Sequence, residues 1–332
     1  MNKRKIKLRF TYNMALFLIC VAVFMTFTMI NPNFTNTRHL VETTRLIVEI
    51  GIMAMPLTLL IVMGSIDFSM ASVLVLSVAV GGIATPVIGA PLGLLLTFAV
   101  GILCGSFNGF LVAKLRLPPL VTTLATMYLF RGIALVITLA NPAVGANVPA
   151  TGIALFFGAS YTWGIPHQAF VFVILAVIFH LALSRTTYGR MLFAIGLNED
   201  AASFSGINTT KIKLLTFIVA GFVFSIAGLV LMGRFSTIQF NSADPFTMQV
   251  ITASVLGGSD MRGGRGNIIG TIWGVSIIGI LRAGMNLILL PQTQQRVILG
   301  IVLMLSLLVF DQISSRALRV KKPTEKAKEA SA

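Results

Sequence analysis

Strongly apolar runs of about 20 residues recur along almost the whole of this chain. A helix needs about 20 such residues to cross the hydrocarbon core of a bilayer. Hydrophobic residues make up 56% of the chain and charged residues 11%, whereas soluble domains carry about 25% charged residues. The short alternating strands that are typical of a membrane β-barrel do not occur in the sequence. We therefore predict an all-α, polytopic membrane protein.

The apolar runs predict about ten transmembrane helices in one domain that covers residues 12–311. The first run lacks a small-residue cleavage site, so we interpret it as a retained signal anchor. The eighth run is too short to cross a bilayer, and we expect a tilted, broken or re-entrant helix that is buried in protein. The predicted spans are 12–31, 46–64, 70–89, 92–113, 120–140, 168–184, 212–233, 247–257, 267–289 and 295–311.

The distribution of positive charge predicts the orientation of these helices. If the amino terminus is cytoplasmic, nineteen of the 25 lysines and arginines fall in cytoplasmic segments and four in outer loops. This asymmetry follows the positive-inside rule and places both termini in the cytoplasm. Residues 1–11 then form a basic start, and residues 312–332 form a basic tail that we expect to be disordered. The outer loop 141–167 is expected to contain a short surface helix.

The sequence argues against an enzyme or a metalloprotein. It contains no GxxxxGK[ST] motif, so the chain has no P-loop of its own for ATP. The three histidines are scattered and lack neighbouring carboxylates, which disfavours a metal site. Cys20 and Cys104 lie in apolar runs and are expected to be free packing residues. We predict no catalytic residue, no metal and no cofactor in this chain.

The polar segment 187–213, TYGRMLFAIGLNEDAASFSGINTTKIK, is the longest interruption between apolar runs. Asn198 is a good N-cap for a short helix, and Glu199 and Asp200 would lie in its first turn, where the helix dipole favours negative charge. Gly206 suits a left-handed end to this helix. Because so short a helix is unstable alone, it must dock on something. It either packs on its own membrane domain or is presented to a cytoplasmic partner.

Four stretches of the chain resemble the ribose-type sugar permeases of ABC importers. In GRMLFAIGLNEDAASFSGI, a Gly-Arg pair, an aliphatic-Gly-x-Asn run and an Ala-Ala…Gly-Ile run follow that family's order. VMGSIDFSMASVLVLS is similar to its Gly-Gly-Ile-Asp-Leu-Ser signature, with Ser65 in place of the second glycine. LPPLVTTLATMYLFRGIA and VLGGSDMRGGRGNIIGTIWG resemble two further segments. The four stretches occur in order over residues 50–310, which makes the resemblance specific.

The resemblance implies the ABC importer permease fold and a transport subunit without enzymatic activity. Such a subunit works in the bacterial inner membrane with a second permease, identical or different. Cytoplasmic ATPase subunits bind ATP and Mg and hydrolyse the ATP, and a periplasmic or extracellular sugar-binding protein delivers the solute. The implied solute is a small sugar such as ribose, rhamnose or autoinducer-2. An ABC permease for branched-chain amino acids and an ion-coupled secondary transporter remain alternatives.

The same resemblance implies that the loop 185–213 couples the permease to its ATPase. Glu199 and Asp200 are expected to meet basic groups of the partner, where charges affect specificity more than affinity. The residues of the loop that match the family pattern are Gly189, Arg190, Gly196, Asn198, Glu199, Asp200, Ala201, Ala202 and Gly206.

Polar residues in or near the spans are candidates for the path of the solute. Their neutral side chains suit an uncharged solute, and they equally suit hydrogen bonds between helices. For Asp67, we expect either a backbone-capping role at the start of the helix 70–89 or a contact with solute. Arg131 and Arg282 lie in predicted spans and are expected to pair with other groups. The path candidates are Asp67, Asn108, Thr122, Thr126 and Asn286.

Glycines four residues apart predict close packing between helices, because small side chains let two helix backbones approach. The pattern occurs in GILCGSFNG, residues 101–109, and in GNIIGTIWG, residues 266–274. A Gly-Ser-Asp similarity between VMGSIDFSMASVL and VLGGSDMRGGRGNII also suggests that the two halves of the chain are related.

Overall fold

The computed structural model of the protein describes residues 3–141, 147–239 and 242–319, with side chains described for 12–141, 147–239, 242–243 and 245–305. Within these ranges the chain folds into thirteen α-helices, with four two-residue strands between them. The helices are α1 (Lys3–Ile30), α2 (Thr37–Val62), α3 (Met70–Ile88), α4 (Ala90–Gly109), α5 (Pro119–Leu139), α6 (Gly152–Gly158), α7 (His167–Arg185), α8 (Thr187–Leu197), α9 (Glu199–Phe204), α10 (Thr209–Phe235), α11 (Asp244–Leu256), α12 (Ile268–Leu287) and α13 (Gln292–Arg319).

The strands form two small antiparallel pairs outside the helix bundle. Strand β1 (Val148–Pro149) pairs with β4 (Thr237–Ile238), and β2 (Tyr161–Thr162) pairs with β3 (Ile165–Pro166). The first pair ties the segment before α6 to the end of α10. Helix α6 confirms the short helix that we predicted in the loop 141–167.

The long helices confirm a polytopic, α-helical membrane protein. Eight helices of the described ranges are long and apolar enough to cross a bilayer, namely α1 to α5, α7, α10 and α12, with α4 continued by a π-helical turn to Lys114. Helix α11 has 13 residues and is about 20 Å long, which is shorter than the hydrocarbon core of about 30 Å. From Phe246 to Val255 it is buried except at Met248, so it lies within the protein as predicted.

Two helices extend beyond the predicted spans. Helix α2 begins at Thr37, nine residues before the predicted start at position 46. The prediction started too late because the first turns of the helix contain polar residues, which lower the mean hydropathy without preventing helix formation. Helix α13 continues to Arg319, so residues 312–319 of the predicted tail are helical. Residues 320–332 lie outside the described part of the chain.

Helix α2 forms the centre of the bundle. It contacts α7, α10, α11 and α12, and it is buried along most of its length. Helices α4, α5 and α7 expose most of their apolar surface, as expected of helices that face lipid or a second subunit.

The glycine patterns are confirmed as sites of close packing. A Cβ atom built on Gly221 of α10 would lie 2.2 Å from the carbonyl oxygen of Gly101 in α4. A Cβ atom on Gly274 of α12 would lie 2.1 Å from the carbonyl oxygen of Ala253 in α11. In both places the helix backbones are in direct contact, with no space for a side chain.

Helices α2 and α11 end in matching turns. Gly64 and Gly258 have positive φ angles of 80° and 90°, the left-handed geometry that favours glycine. The next residues, Ser65 and Ser259, donate backbone hydrogen bonds of 2.9 and 3.2 Å to carbonyl groups five residues earlier. The shared geometry supports the predicted relation between the two halves of the chain.

We expect the Gly221→Ala substitution to lower the thermal stability of the detergent-solubilised protein. The new methyl group would force α4 and α10 apart, and such overpacking typically costs about 1–3 kcal/mol. Thermal unfolding followed by size-exclusion chromatography measures the effect. Gly132→Ala in α5 is the matched control, because its Cβ would meet nothing within 4 Å. Equal stability of the two variants would contradict the close contact.

Candidate functional site

The polar segment 187–213 folds into two short helices that pack on the membrane domain. In α8, Leu192 and Ile195 are buried, and the hydroxyl of Tyr188 lies 2.7 Å from the hydroxyl of Thr216 in α10. From the sequence we predicted only the second helix, α9, because Asn198 and Gly206 are recognisable signals of its two ends. Helix α8 was not predicted.

The predicted boundaries of α9 are confirmed. The Asn198 side chain accepts a hydrogen bond of 2.9 Å from the backbone N–H of Ala201, as an N-cap residue does. Gly206 follows the helix with a φ angle of 85°. Ala202 is buried against the domain, whereas Ala201 is exposed.

Glu199 has a partner inside the chain, which we did not predict from the sequence. Its carboxylate forms an ion pair with the ammonium group of Lys213, at the start of α10. Asp200 is exposed, and Arg190 is also exposed and donates to the hydroxyl of Thr187 over 2.7 Å. The ion pair therefore holds α9 on the membrane domain.

The carboxyl-terminal end of α8 contacts two turns of the membrane domain through backbone atoms alone. A Cβ atom on Gly196 would lie 1.9 Å from the carbonyl oxygen of Val62 and 2.5 Å from the backbone nitrogen of Gly264. Gly264 in turn donates a hydrogen bond of 2.8 Å to the Val62 carbonyl. At the other end of α8, Gly189 packs in the same way against the carbonyl oxygen of Leu183.

Two large apolar side chains project from this docked segment into open space. Phe204 is 93% exposed and Leu197 is 72% exposed. The other large apolar residues of the segment are buried, such as Leu192, or partly buried, such as Phe193. Sequence reasoning missed them, although an exposed aromatic residue at the end of a polar helix is the kind of signal that marks an interaction surface.

Asp67 lies in a buried hydrogen-bonded cluster at the start of α3. Its carboxylate accepts bonds of 2.7 and 2.6 Å from the backbone N–H and the hydroxyl of Ser69, which confirms the capping role. Asn108 of α4 donates a bond of 2.8 Å to the same hydroxyl. Burial raises the pKa of Asp67 to about 6, and the hydrogen bonds from Ser69 oppose this rise. In the matching turn, Asp260 accepts from the backbone N–H of Arg262 over 3.0 Å.

The other path candidates lie in two separate places. Thr122 and Thr126 are buried in α5 and bond to carbonyl groups of their own helix. Their neighbour Thr123 donates to the carbonyl of Ile66 over 3.1 Å, which ties α5 to the turn that carries Asp67. Asn286 is exposed at the end of α12 and accepts a hydrogen bond of 2.9 Å from Gln295. The structure therefore does not bring the five candidates into one site.

An ion-pair network that sequence reasoning missed joins the first half of α2 to the end of α10. Both carboxylate oxygens of Glu49 accept from Arg234 at 2.7 Å, and Glu42 accepts from the same guanidinium at 2.9 Å. Arg45 also bonds to Glu42, at 3.2 Å. The signal was the spacing of positions 42, 45 and 49, which share one helix face.

Next to this network, a cleft of about 520 Å³ opens between α10, α11, α12 and α13. Gln249 and Arg282 lie in its wall, where the guanidinium donates to the amide oxygen over 3.0 Å. Asn286 and Gln295 also line it. The expectation that Arg282 pairs with another group is thus confirmed.

The described side chains form no group of three or more His, Cys, Asp or Glu residues that could share a metal ion. Cys20 and Cys104 are buried free thiols, as predicted. The geometry of the described residues is that of packed helices, a docked polar segment and a polar cleft.

A family model described as "Branched-chain amino acid transport system / permease component" matches residues 39–307. The chain belongs to this permease family. The permease is 36% identical to the ribose import permease protein RbsC of Bacillus subtilis (strain 168), over 89% of this chain and 90% of that protein. It is 31% identical to RbsC of Escherichia coli (strain K12), over 88% and 90% of the two chains.

The permease is also 33% identical to the autoinducer 2 import system permease protein LsrD of Escherichia coli O9:H4 (strain HS), over 90% of this chain and 91% of that protein. These relatives confirm the resemblance to ribose-type ABC permeases. No solved structure matches the chain significantly.

We expect the Glu49→Gln substitution to destabilise the permease strongly. It would leave Arg234 buried with only Glu42 as its charged partner, and breaking a buried ion pair typically costs about 3–5 kcal/mol. The thermal unfolding temperature in detergent measures the loss. Glu42→Gln is the control, because Glu42 is 42% exposed and should contribute about 1 kcal/mol or less. The interpretation fails if the two variants unfold at the same temperature.

Proposed function

We propose that this chain is the membrane-spanning translocation subunit of an ABC importer for a small sugar. Relatives named as ribose and autoinducer-2 import permeases match about nine-tenths of the chain, which supports this assignment. The subunit would pair with a second permease, identical or different, in the bacterial inner membrane. Partner ATPases would bind ATP and Mg, and a sugar-binding protein would deliver the solute.

The proposed topology has ten membrane helices with both termini in the cytoplasm. In addition to the eight long apolar helices, α13 would cross the membrane and α11 would enter it from the outer side. The excess of lysine and arginine in the segments that become cytoplasmic supports this orientation. The docked segment α8–α9 and the turns after α2 and α11 then face the cytoplasm.

The observation that carries the proposal is the docked but incompletely covered segment α8–α9. The Glu199–Lys213 ion pair and the buried side chains of α8 hold it on the permease. Phe204 and Leu197 remain exposed, so the segment has one attached face and one free apolar face. We propose that the free face fits into a cleft of the ATPase, with Asp200 at the rim of the contact.

The proposed mechanism transmits motion through the junction at Gly196. When ATP closes the ATPase dimer, a rigid displacement of α8–α9 would push on the end of α2 and on the loop between α11 and α12, because Val62 and Gly264 contact Gly196 through backbone atoms. Their movement would change which side of the membrane the permease opens to.

The four buried candidates around α3 and α5 are proposed to lie beside the path rather than to bind solute. Asp67 accepts from Ser69, and the amide nitrogen of Asn108 donates to the Ser69 hydroxyl, while the Asn108 amide oxygen is buried without a hydrogen-bond partner in the described part of the chain. Thr122 and Thr126 bond to their own helix. Such groups would keep the inner end of the path rigid and polar.

We expect Phe204→Ser to weaken the binding of the ATPase without unfolding the permease, since Phe204 has few contacts within the chain. An aromatic anchor at the centre of an interface typically contributes about 2 kcal/mol or more, so the affinity should fall about 30-fold. Affinity purification of the tagged chain from its native membranes, with mass spectrometry, measures the bound ATPase. Trp163→Ser is the matched control, because Trp163 is 92% exposed and lies on the proposed outer side.

The proposal fails if the wild-type chain purifies without an ATPase and its vesicles transport solute under an ion gradient without ATP. That result would favour a secondary transporter. If an ATPase is present but leucine rather than a sugar is imported, the permease would be a carrier of branched-chain amino acids.

A further inference from the structure

The cleft between α10, α11, α12 and α13 has the size and composition of a solute-binding site. Its volume of about 520 Å³ falls within the range of about 300–1,000 Å³ that is typical of small-molecule pockets. Apolar and polar side chains alternate around it. The polar side chains that line it are Arg234, Gln249, Thr252, Arg282, Asn286, Gln292, Gln295 and Arg296.

The cleft reaches well into the helix bundle. Its wall on α11 extends from Pro245 to Thr252, which is about 10 Å along the helix axis. Thr252 is 1% exposed, whereas Gln292 at the start of α13 is exposed. The cleft therefore opens where α12 ends and α13 begins, and its floor is polar and buried. The depth of about 10 Å is about a third of the thickness of a bilayer core, which is about 30 Å.

Arg282 and Gln249 form the most ordered polar pair in the cleft. The guanidinium donates to the Gln249 amide oxygen over 3.0 Å and lies 4.8 Å from the centre of the Phe246 ring. A guanidinium has five N–H donors, and this hydrogen bond uses one of them. The remaining donors of Arg282 and the amide N–H groups of Gln249 are available to a solute in the cleft.

The charges around the cleft select among the classes of solute. Arg234 is neutralised by Glu42 and Glu49, as described above. The described side chains that line the cleft include no aspartate or glutamate, so no carboxylate among them would bind the ammonium group of an amino acid. Side-chain amides can both donate to and accept from the hydroxyl groups of a polyol, and a guanidinium can donate to the hydroxyl oxygens.

We infer that this cleft binds a small, uncharged, polyhydroxylated solute at the outer entrance of the translocation path, with Arg282 and Gln249 as its principal contacts. The inference rests on the proposed function and orientation, and it assigns to that function a site and a solute class. Asn286 is the one path candidate from the sequence that belongs to this site.

Protection from alkylation tests the site directly. Gln292→Cys places a thiol at the mouth of the cleft, and Gln294→Cys places one on the same exposed turn of α13 outside it. The native thiols Cys20 and Cys104 are buried, so they should react slowly. In membranes that contain the full importer, we expect D-ribose to slow the reaction of a membrane-impermeant maleimide at position 292 several-fold and to leave position 294 unchanged.

A second variant connects the protection to Arg282. In the Gln292→Cys background, Arg282→Gln should abolish the protection by D-ribose and reduce ATP-driven import several-fold, while the ATPase still co-purifies. If Arg282→Gln does not reach the membrane, Gln249→Leu provides the same test, because it removes the amide from the other side of the pair.

The outcomes separate this inference from the proposed function. If wild-type vesicles import D-ribose with ATP but D-ribose protects neither position, or both equally, the cleft is not the solute site and the importer assignment stands. Stronger protection by D-gluconate or L-leucine than by D-ribose would overturn the uncharged, polyhydroxylated class. Absence of ATP-driven import of any sugar would instead overturn the proposed function.

Discussion

The hydrogen bond from the backbone N–H of Gly264 to the carbonyl of Val62 joins the two turns on which the rest of the bundle depends. Val62 ends α2, and Gly264 lies in the turn that follows α11. Gly196 at the end of α8 packs against both groups, and an added methyl group has no space there. Because three backbones meet without side chains between them, the docked segment is in direct contact with the end of α2 and with the loop that carries Gly264. In the proposed mechanism, displacement of the segment moves the other two.

In the proposed orientation, helix α2 connects this junction to the outer end of the molecule. It has 26 residues and is about 39 Å long, so it exceeds the thickness of a bilayer core. Its last residue accepts the Gly264 hydrogen bond, and Glu49, halfway along the helix, accepts from Arg234 at the end of α10. The ion pair lies beside the polar cleft, since Arg234 lines that cleft as well. A tilt of α2 would thus act at once on the coupling segment and on the entrance that we assign to the solute.

Local features of the sequence were sufficient for some of these elements. Asn198 and Gly206 bound α9 as predicted, because caps and left-handed ends depend on the chemistry of one residue and its near neighbours. The Asp67 turn was anticipated for the same reason. The pair of Glu199 with Lys213 was not predicted, since an ion pair across fourteen residues depends on how α9 folds back on α10. The Glu49–Arg234 pair, separated by 185 positions, was missed on the same grounds.

The sequence by itself determined that the chain is a multi-helix membrane protein of the ribose-type permease family and where most of its long helices lie. The length of the apolar runs, the asymmetry of charge and the short motifs are local properties of the sequence, so they can be recognised before the fold is known. Only the tertiary structure decided that Asn286 is separate from Asp67, that Phe204 is exposed while Leu192 is buried, and that Gln249 and Arg282 share one cleft. The physical reason is that burial and cavities arise where helices distant in the chain pack against each other, and helix periodicity does not specify which helices become neighbours.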